Sequence, residues 1–517
     1  MKLKKLPIGI STLKTILKED YLYVDKTKIA QELIEGGQYY FLSRPRRFGK
    51  SLFLDTLRTI FDGDKELFSG LHIYNNTYTF EKHPVIRISF NSGDSKTKEE
   101  FHKTIIRILK ENQTELDLEC EEQENPSACF RELIINAYKK YNKQVVILVD
   151  EYDKPILDNI EDTEVARLMR EELKNFYSVI KSSDEYLKFV FITGVSKFSK
   201  VSLFSGLNNI QDITLNPKYA TLCGYTQNDV ETVFAEHLKG QDFVKIKKWY
   251  NGYKFLGEGV YNPFDILLFI ENQFAYRNYW FSTATPTFLL KLIEKNNYFL
   301  PNLEDIIKDD KMLDSFDVDY IELETLMWQT GYLTIDRVSI NYDETPLYHL
   351  AIPNQEVKLS LMGSFADFMS KIQNSTRLQG NIYKALFEAD MDALQKALHA
   401  LFASIPYNHF TGVKLYEYEG YYVCVLYAYI KALGIELIGE DVTNKGRIDL
   451  TIKLPHTIYV IEFKVNTHNP SNALQQVKEK NYHDKYLDDG RDVVLLGIEF
   501  DVNERNITKL ESEFVSR

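Results

Sequence analysis

Phe41-Leu42-Ser43-Arg44-Pro45-Arg46-Arg47-Phe48-Gly49-Lys50-Ser51-Leu52 is the stretch that decides the fold. It continues an apolar strand candidate that starts at Tyr39. Beyond Ser51, the apolar residues Phe53, Leu57, Ile60 and Phe61 fall at i, i+4, i+7 and i+8, one face of a helix, and Asp62-Gly63 is its expected stop. The stretch therefore reads as strand, tight loop and helix. A helix N-terminus behind a flexible glycine cradles phosphate, because its unpaired N–H groups and its dipole both favour anions. Lys50 is expected to reach the β- and γ-phosphates and the Ser51 hydroxyl to ligate Mg²⁺. The general pattern GxxxxGK[ST] asks for glycine at position 44, where this chain has Arg44. From average composition, the tripeptide alone arises by chance in about one chain of this length in four.

A second half of the site gives it weight. Val145-Val146-Ile147-Leu148-Val149 is an apolar strand that ends in Asp150-Glu151. Asp150 is expected to hold Mg²⁺ through water, and Glu151 to polarise the water that attacks the γ-phosphate. Further strand candidates at 39–42, 85–88, 189–192 and 210–213 alternate with helical stretches. Continuous apolar runs in that arrangement indicate a parallel sheet covered on both faces, whose carboxyl edge gathers ligands. The plainer alternative is a buried strand ending in a solvated acidic turn; the two halves together on a βαβ pattern favour the nucleotide site.

Leu6-Pro7-Ile8-Gly9-Ile10, Tyr23-Val24-Asp25-Lys26-Thr27, the loop itself, Asp150-Glu151-Tyr152-Asp153-Lys154-Pro155 and Phe191-Ile192-Thr193-Gly194-Val195-Ser196 follow one another in order. This series resembles the bacterial AAA-ATPase-like proteins, whose phosphate loop reads SRPRRFGKSL. The resemblance covers about the first 200 residues and implies an ATP site lined by residues 44–52, with Arg44 as the family's own variant. It places Thr193 or Ser196 at the position that senses the γ-phosphate. Arg44, Arg46 and Arg47 either add positive charge against the triphosphate, act on a neighbouring subunit's nucleotide, or pair with acids to hold the loop. Trp249-Tyr250-Asn251-Gly252-Tyr253 fits the family's WYNGY segment, expected as core or interface.

Near the C-terminus, Gly446-Arg447-Ile448-Asp449 is followed by Ile458-Tyr459-Val460-Ile461-Glu462-Phe463-Lys464. In a strand Glu462 and Lys464 share a face, and Asp449 comes within cross-strand reach if the two segments form a hairpin. Two carboxylates with a backbone carbonyl make an oxygen-rich pocket of the kind Mg²⁺ prefers. A solvated strand face is the plain alternative. This segment resembles the D…ExK core of the PD-(D/E)XK nucleases, over roughly residues 405–500. The resemblance adds Glu419 on a first helix and Gln476, with Tyr482, on the helix after the ExK strand. It implies Mg²⁺ on Asp449 and Glu462, with nucleic acid, DNA or RNA, as the partner.

The chain of 517 residues, 44% hydrophobic and 26% charged, has ample material for several cores. A net charge of −13 speaks against a whole-surface nucleic-acid binder, though not against a local basic channel. The four cysteines form no CxxC, so neither a disulfide framework nor a zinc site is expected. Met1–Lys5 is basic, but the apolar run behind it stops at Ser11, Thr12 and Lys14; neither export nor a membrane span is expected, and the cytoplasm is the simplest location. The expected fold is α/β: a P-loop sheet domain at 1–217, a helical, lid- or winged-helix-like middle region at 218–370, and a restriction-endonuclease-like domain at 371–517. That last part should hold a helix near 417–433, strands at 447–452 and 458–463, a helix at 473–486 and a final strand at 493–497. The expected function is an ATP-hydrolysing machine fused to a Mg²⁺-dependent nuclease, and a homo-oligomer is compatible with it. The competing expectation is a nucleotide-dependent switch or scaffold with an inactive nuclease domain.

Overall fold

The structure, a computed structural model, describes residues 3–91, 95–197, 209–283, 287–296, 298–313, 318–319, 321–370, 376–405, 419–466 and 472–515. The chain divides into two compact units: Met1–Thr285 with Ile307–Asn354, and Pro286–Ile306 with Gln355–Arg517. The stretch 218–370 is thus shared between them.

In the first unit, β1 (Tyr39–Ser43), β2 (Val85–Ser89), β3 (Val145–Asp150), β4 (Leu187–Gly194) and β5 (Gln211–Asp212) form one sheet in the order β2-β3-β4-β1-β5. Every pairing is parallel. All residues of β1 and β3 are buried, as a sheet covered on both faces requires. The helix Lys50–Phe61 lies on the sheet through Phe53, 5.7 Å from the Phe191 ring, and Phe61, 5.5 Å from Phe189. Burying each such ring stabilises the fold by about 1.5–3 kcal/mol. Because β4 lies between β1 and β3, the ends of the loop strand and the acidic strand both border Thr193-Gly194.

The following stretch is helical at Phe243–Tyr250, Pro263–Glu271 and Leu323–Thr330, with short strands between. These are the pair β6 (Asn251–Tyr253) and β7 (Val260–Tyr261), and a small sheet ordered β8-β10-β9 from β8 (Ile306–Lys308), β9 (Thr334–Ile340) and β10 (Pro346–Ala351).

The second unit carries a five-stranded mixed sheet, β11 (Glu436–Thr443), β12 (Gly446–Lys453), β13 (Thr457–Asn466), β14 (Asp492–Asp501) and β15 (Asn506–Val515), in that order. The β13–β14 pairing is parallel and its neighbours are antiparallel. Two of these strands, β11 and β15, were not anticipated: β11 is only partly apolar, and β15 is a charged edge strand whose burial is patchy. The helix Glu419–Ala432 is buried on nearly every side, with Tyr422 stacked 4.1 Å from Phe500 of β14. Glu417 and Tyr418, expected at its start, lie outside the described residues. The helix expected over 473–486 is two elements. It stops at Lys480, Asn481 turns left-handed at φ 47°, and a 3₁₀ turn runs over Tyr482–Tyr486.

Candidate functional sites

The phosphate loop turns at Arg47 (φ 68°) and Gly49 (φ 91°), and Gly49 caps the helix that begins at Lys50. Ser51 and Leu52 are half-buried in its first turn. Phe48 is fully buried and meets Tyr253 edge-on at 4.8 Å and Phe255 at 6.1 Å. The Arg46 carbonyl accepts from Trp280 Nε1 at 3.2 Å and Asn262 Nδ2 at 3.4 Å. Pro45 fills the space beside Gly331, where a Cβ would come within 2.8 Å of it. The loop is therefore seated on Tyr253 and Phe255, in and beside the WYNGY segment, whereas Tyr250, with Trp249 packed against it, belongs to a separate apolar cluster with Phe269 and Tyr279.

Within the loop the arginines differ. Arg46 and Arg47 are exposed, and the Arg47 guanidinium lies 5.0 Å from the Phe264 ring. Arg44 is wholly buried and turned into the protein, its guanidinium facing backbone carbonyls and the Phe255 ring. Lys50 is buried too, and its Nζ donates to Arg44 O at 2.9 Å and Pro45 O at 3.0 Å. Burial lowers the Lys50 pKa, opposed by the charges of Asp150, Glu151 and Asp153.

Asp150 closes β3 with no exposed surface. Its Oδ1 accepts from Thr193 Oγ1 at 3.0 Å, while its Oδ2 is buried without a hydrogen-bond partner. Glu151 turns left-handed at φ 53°, and burial, then Asp150, raises its carboxyl above the usual range. Of the two sensor candidates, Thr193 touches Asp150; the Ser196 hydroxyl donates to Asp153 Oδ2 at 2.5 Å.

Asp153 received no role from the sequence. It is buried and also accepts from the backbone N–H groups of Val195 (3.1 Å) and Ser196 (2.6 Å), so it ties the acidic turn to the end of β4. Tyr152 completes the tie by donating to Ser196 O at 3.1 Å. A Cβ at Gly194 would lie 2.5 Å from the Tyr152 ring and 2.6 Å from Asp153 Oδ1. That close approach is why glycine stands in Thr-Gly-Val-Ser, and it was the signal available in the sequence.

In the second unit β12 and β13 form the expected antiparallel hairpin, paired from Lys453↔Ile458 to Leu450↔Ile461. One step further, the register sets Asp449 opposite Glu462, at the point where the ladder ends. Asp449 Oδ2 accepts from the backbone N–H of Phe463 at 2.7 Å. Glu462 is 2% exposed; its Oε1 accepts from Lys464 Nζ at 3.3 Å and from Gln476 Nε2, and its Oε2 has no partner. Lys464 Nζ also donates to Phe463 O at 2.9 Å and lies 3.6 Å from Glu419 Oε1. The five residues named from the sequence thus form one cluster.

Burial pushes Asp449 up to about 7, helped by the charge of Glu419, and burial with the charge of Asp449 pushes Glu462 up to about 8. Burial works against the Lys464 charge, but Glu419, Glu462 and Asp449 together hold its pKa above the ordinary value. Glu440, unnoticed in the sequence, adds to the negative potential on Asp449 and Glu419 while paired with Arg447 Nη1 at 2.8 Å.

Residues 7–204 match the family model described as a predicted AAA-ATPase, and residues 417–510 match the PD-(D/E)XK nuclease superfamily. An "Uncharacterized protein in vnfD 5'region" of Azotobacter chroococcum mcd 1 is 46% identical over 510 residues, 98% of each chain. The chain belongs to the AAA-ATPase-like family and ends in a PD-(D/E)XK nuclease superfamily domain. Among the described residues of this AAA-ATPase-like protein, no three His, Cys, Asp or Glu side chains form a group arranged to hold a metal. The residues the sequence offers as divalent-ion donors are Ser51 with Asp150, and Asp449 with Glu462; each pair would need water or substrate oxygen to complete a shell. No helix among the described residues is long and apolar enough to cross a membrane.

Proposed function

We propose that this AAA-ATPase-like protein binds and hydrolyses ATP at its phosphate loop and cuts DNA or RNA, with Mg²⁺, at its C-terminal carboxylate site. One observation shared by the two sites carries the reading. In each, a nearly fully buried carboxylate on a sheet strand, Asp150 at the end of β3 and Glu462 where the β12–β13 ladder stops, keeps one oxygen without a hydrogen-bond partner: Oδ2 of Asp150 and Oε2 of Glu462. A buried carboxyl oxygen left unpaired is costly, and a divalent cation would satisfy it.

At the loop, the N–H groups at the start of the Lys50–Phe61 helix receive the phosphates, and Lys50 leaves its own loop carbonyls to meet them. Thr193 orients Asp150, and Glu151 orients and polarises the attacking water. At the second site Asp449 and Glu462 would hold the ion, Gln476 fixes the Glu462 carboxylate, and Glu419 holds the Lys464 ammonium where it can orient the water and offset charge on the phosphate. Mg²⁺ bound there supplies charge stabilisation on the phosphate and lowers the pKa of bound water.

The competing reading, a nucleotide-dependent scaffold, is favoured only by the net charge of −13. The two separate in an assay on plasmid, linear duplex, single-stranded DNA and RNA with and without Mg²⁺. Cutting by wild type that is lost in Asp449→Ala/Glu462→Ala supports the nuclease. Identical behaviour of the two, with no Mg²⁺-stimulated cutting, sinks it. Nucleotide binding without turnover by wild type would favour the scaffold.

A further inference from the structure

The loop position that the general pattern gives to glycine holds Arg44, and the backbone shows why a side chain is tolerated there. The loop's left-handed residues are Arg47 and Gly49, and Arg44 is not among the chain's positive-φ positions. The turn that needs glycine elsewhere is made three residues later, so Arg44 carries no backbone strain.

The side chain then does what no glycine could. Its Nη1 donates to Ser43 O at 2.8 Å and Thr214 O at 2.9 Å, and its Nη2 donates to Tyr219 O at 3.3 Å. The guanidinium carbon lies 3.8 Å from the centre of the Phe255 ring. The planar fork thus joins three carbonyls and one aromatic face, a geometry an ammonium cannot reproduce. At the same residue, the backbone carbonyl accepts from Lys50 Nζ at 2.9 Å. The residue that is fixed by its side chain is therefore the residue that fixes the phosphate lysine.

We propose that Arg44 is a positioning residue: by tying the first residue of the loop to Thr214, Tyr219 and Phe255, it sets the place of Lys50 for a nucleoside triphosphate. This rests on the reading of the loop as a nucleotide site. It also links that site to the segment after β5 and to the aromatic segment after β6, so that displacement of Lys50 by phosphate is felt at both. The Arg44 guanidinium is taken up by three carbonyls and the Phe255 ring, so its influence on the site runs through Lys50 and the loop frame.

The test uses the full chain and a fluorescent ATP analogue, with steady-state ATP hydrolysis alongside. Arg44→Gly restores the general pattern, yet it is expected to weaken nucleotide binding at least tenfold, with KM rising more than kcat falls. Arg44→Lys is expected to recover little of the loss. Phe255→Leu, which keeps the carbonyl bonds and the apolar volume, is expected to weaken binding three- to tenfold at a melting temperature near that of wild type. Wild-type affinity in a folded Arg44→Gly overturns the proposal. If Arg44→Gly does not fold, Phe255→Leu decides, and an unchanged affinity there overturns it. Failure of wild type itself to bind the analogue, with Lys50→Ala behaving alike, overturns the nucleotide reading on which the proposal stands.

Discussion

The ammonium of Lys464 lies 3.3 Å from Oε1 of Glu462. With Glu419 and the Phe463 carbonyl as its other neighbours, it sets a positive charge beside the acid that the proposed mechanism gives to the ion. Lys464→Ala leaves a buried carboxylate without its cationic neighbour. The expected cost is about 1–3 kcal/mol of stability without metal at about pH 9, where Glu462 is ionised, measured by urea denaturation of the full chain in EDTA. Mg²⁺-dependent cutting is expected to fall about 100-fold in the folded variant, in the range of one lost transition-state hydrogen-bond donor.

A second prediction concerns pH. In the unfolded chain carboxyls ionise near pH 4, whereas burial in the fold holds Asp449 up to about 7 and Glu462 up to about 8. The native protein keeps protons that the unfolded chain has released, so its metal-free stability falls as pH rises through this window. Below pH 4 both states are protonated and the effect vanishes. Melting temperatures from about pH 4 to 9 in EDTA should therefore decline on the alkaline side. Glu462→Gln should flatten that decline, and Mg²⁺ should flatten it in wild type. Parallel curves for wild type and Glu462→Gln would contradict the assignment.

At the nucleotide site the proposed roles separate by variant. Lys50→Ala should abolish binding of an ATP analogue. Glu151→Gln should bind as wild type does and lose turnover by about 100-fold or more. Asp150→Asn should lose the Mg²⁺ dependence of binding while retaining its hydrogen bond with Thr193. Equilibrium binding and phosphate release on the same samples check all three.

Gly194→Ala tests the tie between the acidic turn and β4. The added methyl would press on the Tyr152 ring and Asp153 Oδ1 at about 2.5 Å, well inside van der Waals contact. Relief requires the turn at Glu151 to shift. Overpacking of this kind costs about 1–3 kcal/mol, and ATP turnover should drop further than the loss of folded protein explains. Thermal melting and hydrolysis on the same preparation separate the two effects.

Most of the P-loop sheet was legible because its strands are continuous apolar runs and because strand, Gly49-Lys50-Ser51 and helix follow in order. The interleaving of β4 between β1 and β3 was not, since strand order is a long-range property with no local signal. The roles open for the loop arginines, added charge, action on a neighbouring subunit's nucleotide or pairing with acids, all missed what Arg44 does. Its partners are carbonyls and a ring at Thr214, Tyr219 and Phe255, far away in sequence. At the second site the i, i+2 spacing of Glu462 and Lys464 placed both on one face. The hairpin brought Asp449 opposite, but the break at Asn481 was hidden: a residue that permits a left-handed turn does not announce that it makes one. β15 was missed because an edge strand needs little apolar character.

The measurement that bears most directly on the account is the rate of cutting at saturating Mg²⁺ by wild type and by Glu462→Gln, on whichever nucleic acid wild type cleaves fastest. The substitution keeps the shape and the Oε1 acceptor while removing the charge at the unpartnered Oε2. A loss of at least about 100-fold with the fold intact is expected; equal rates would contradict the role given to Glu462.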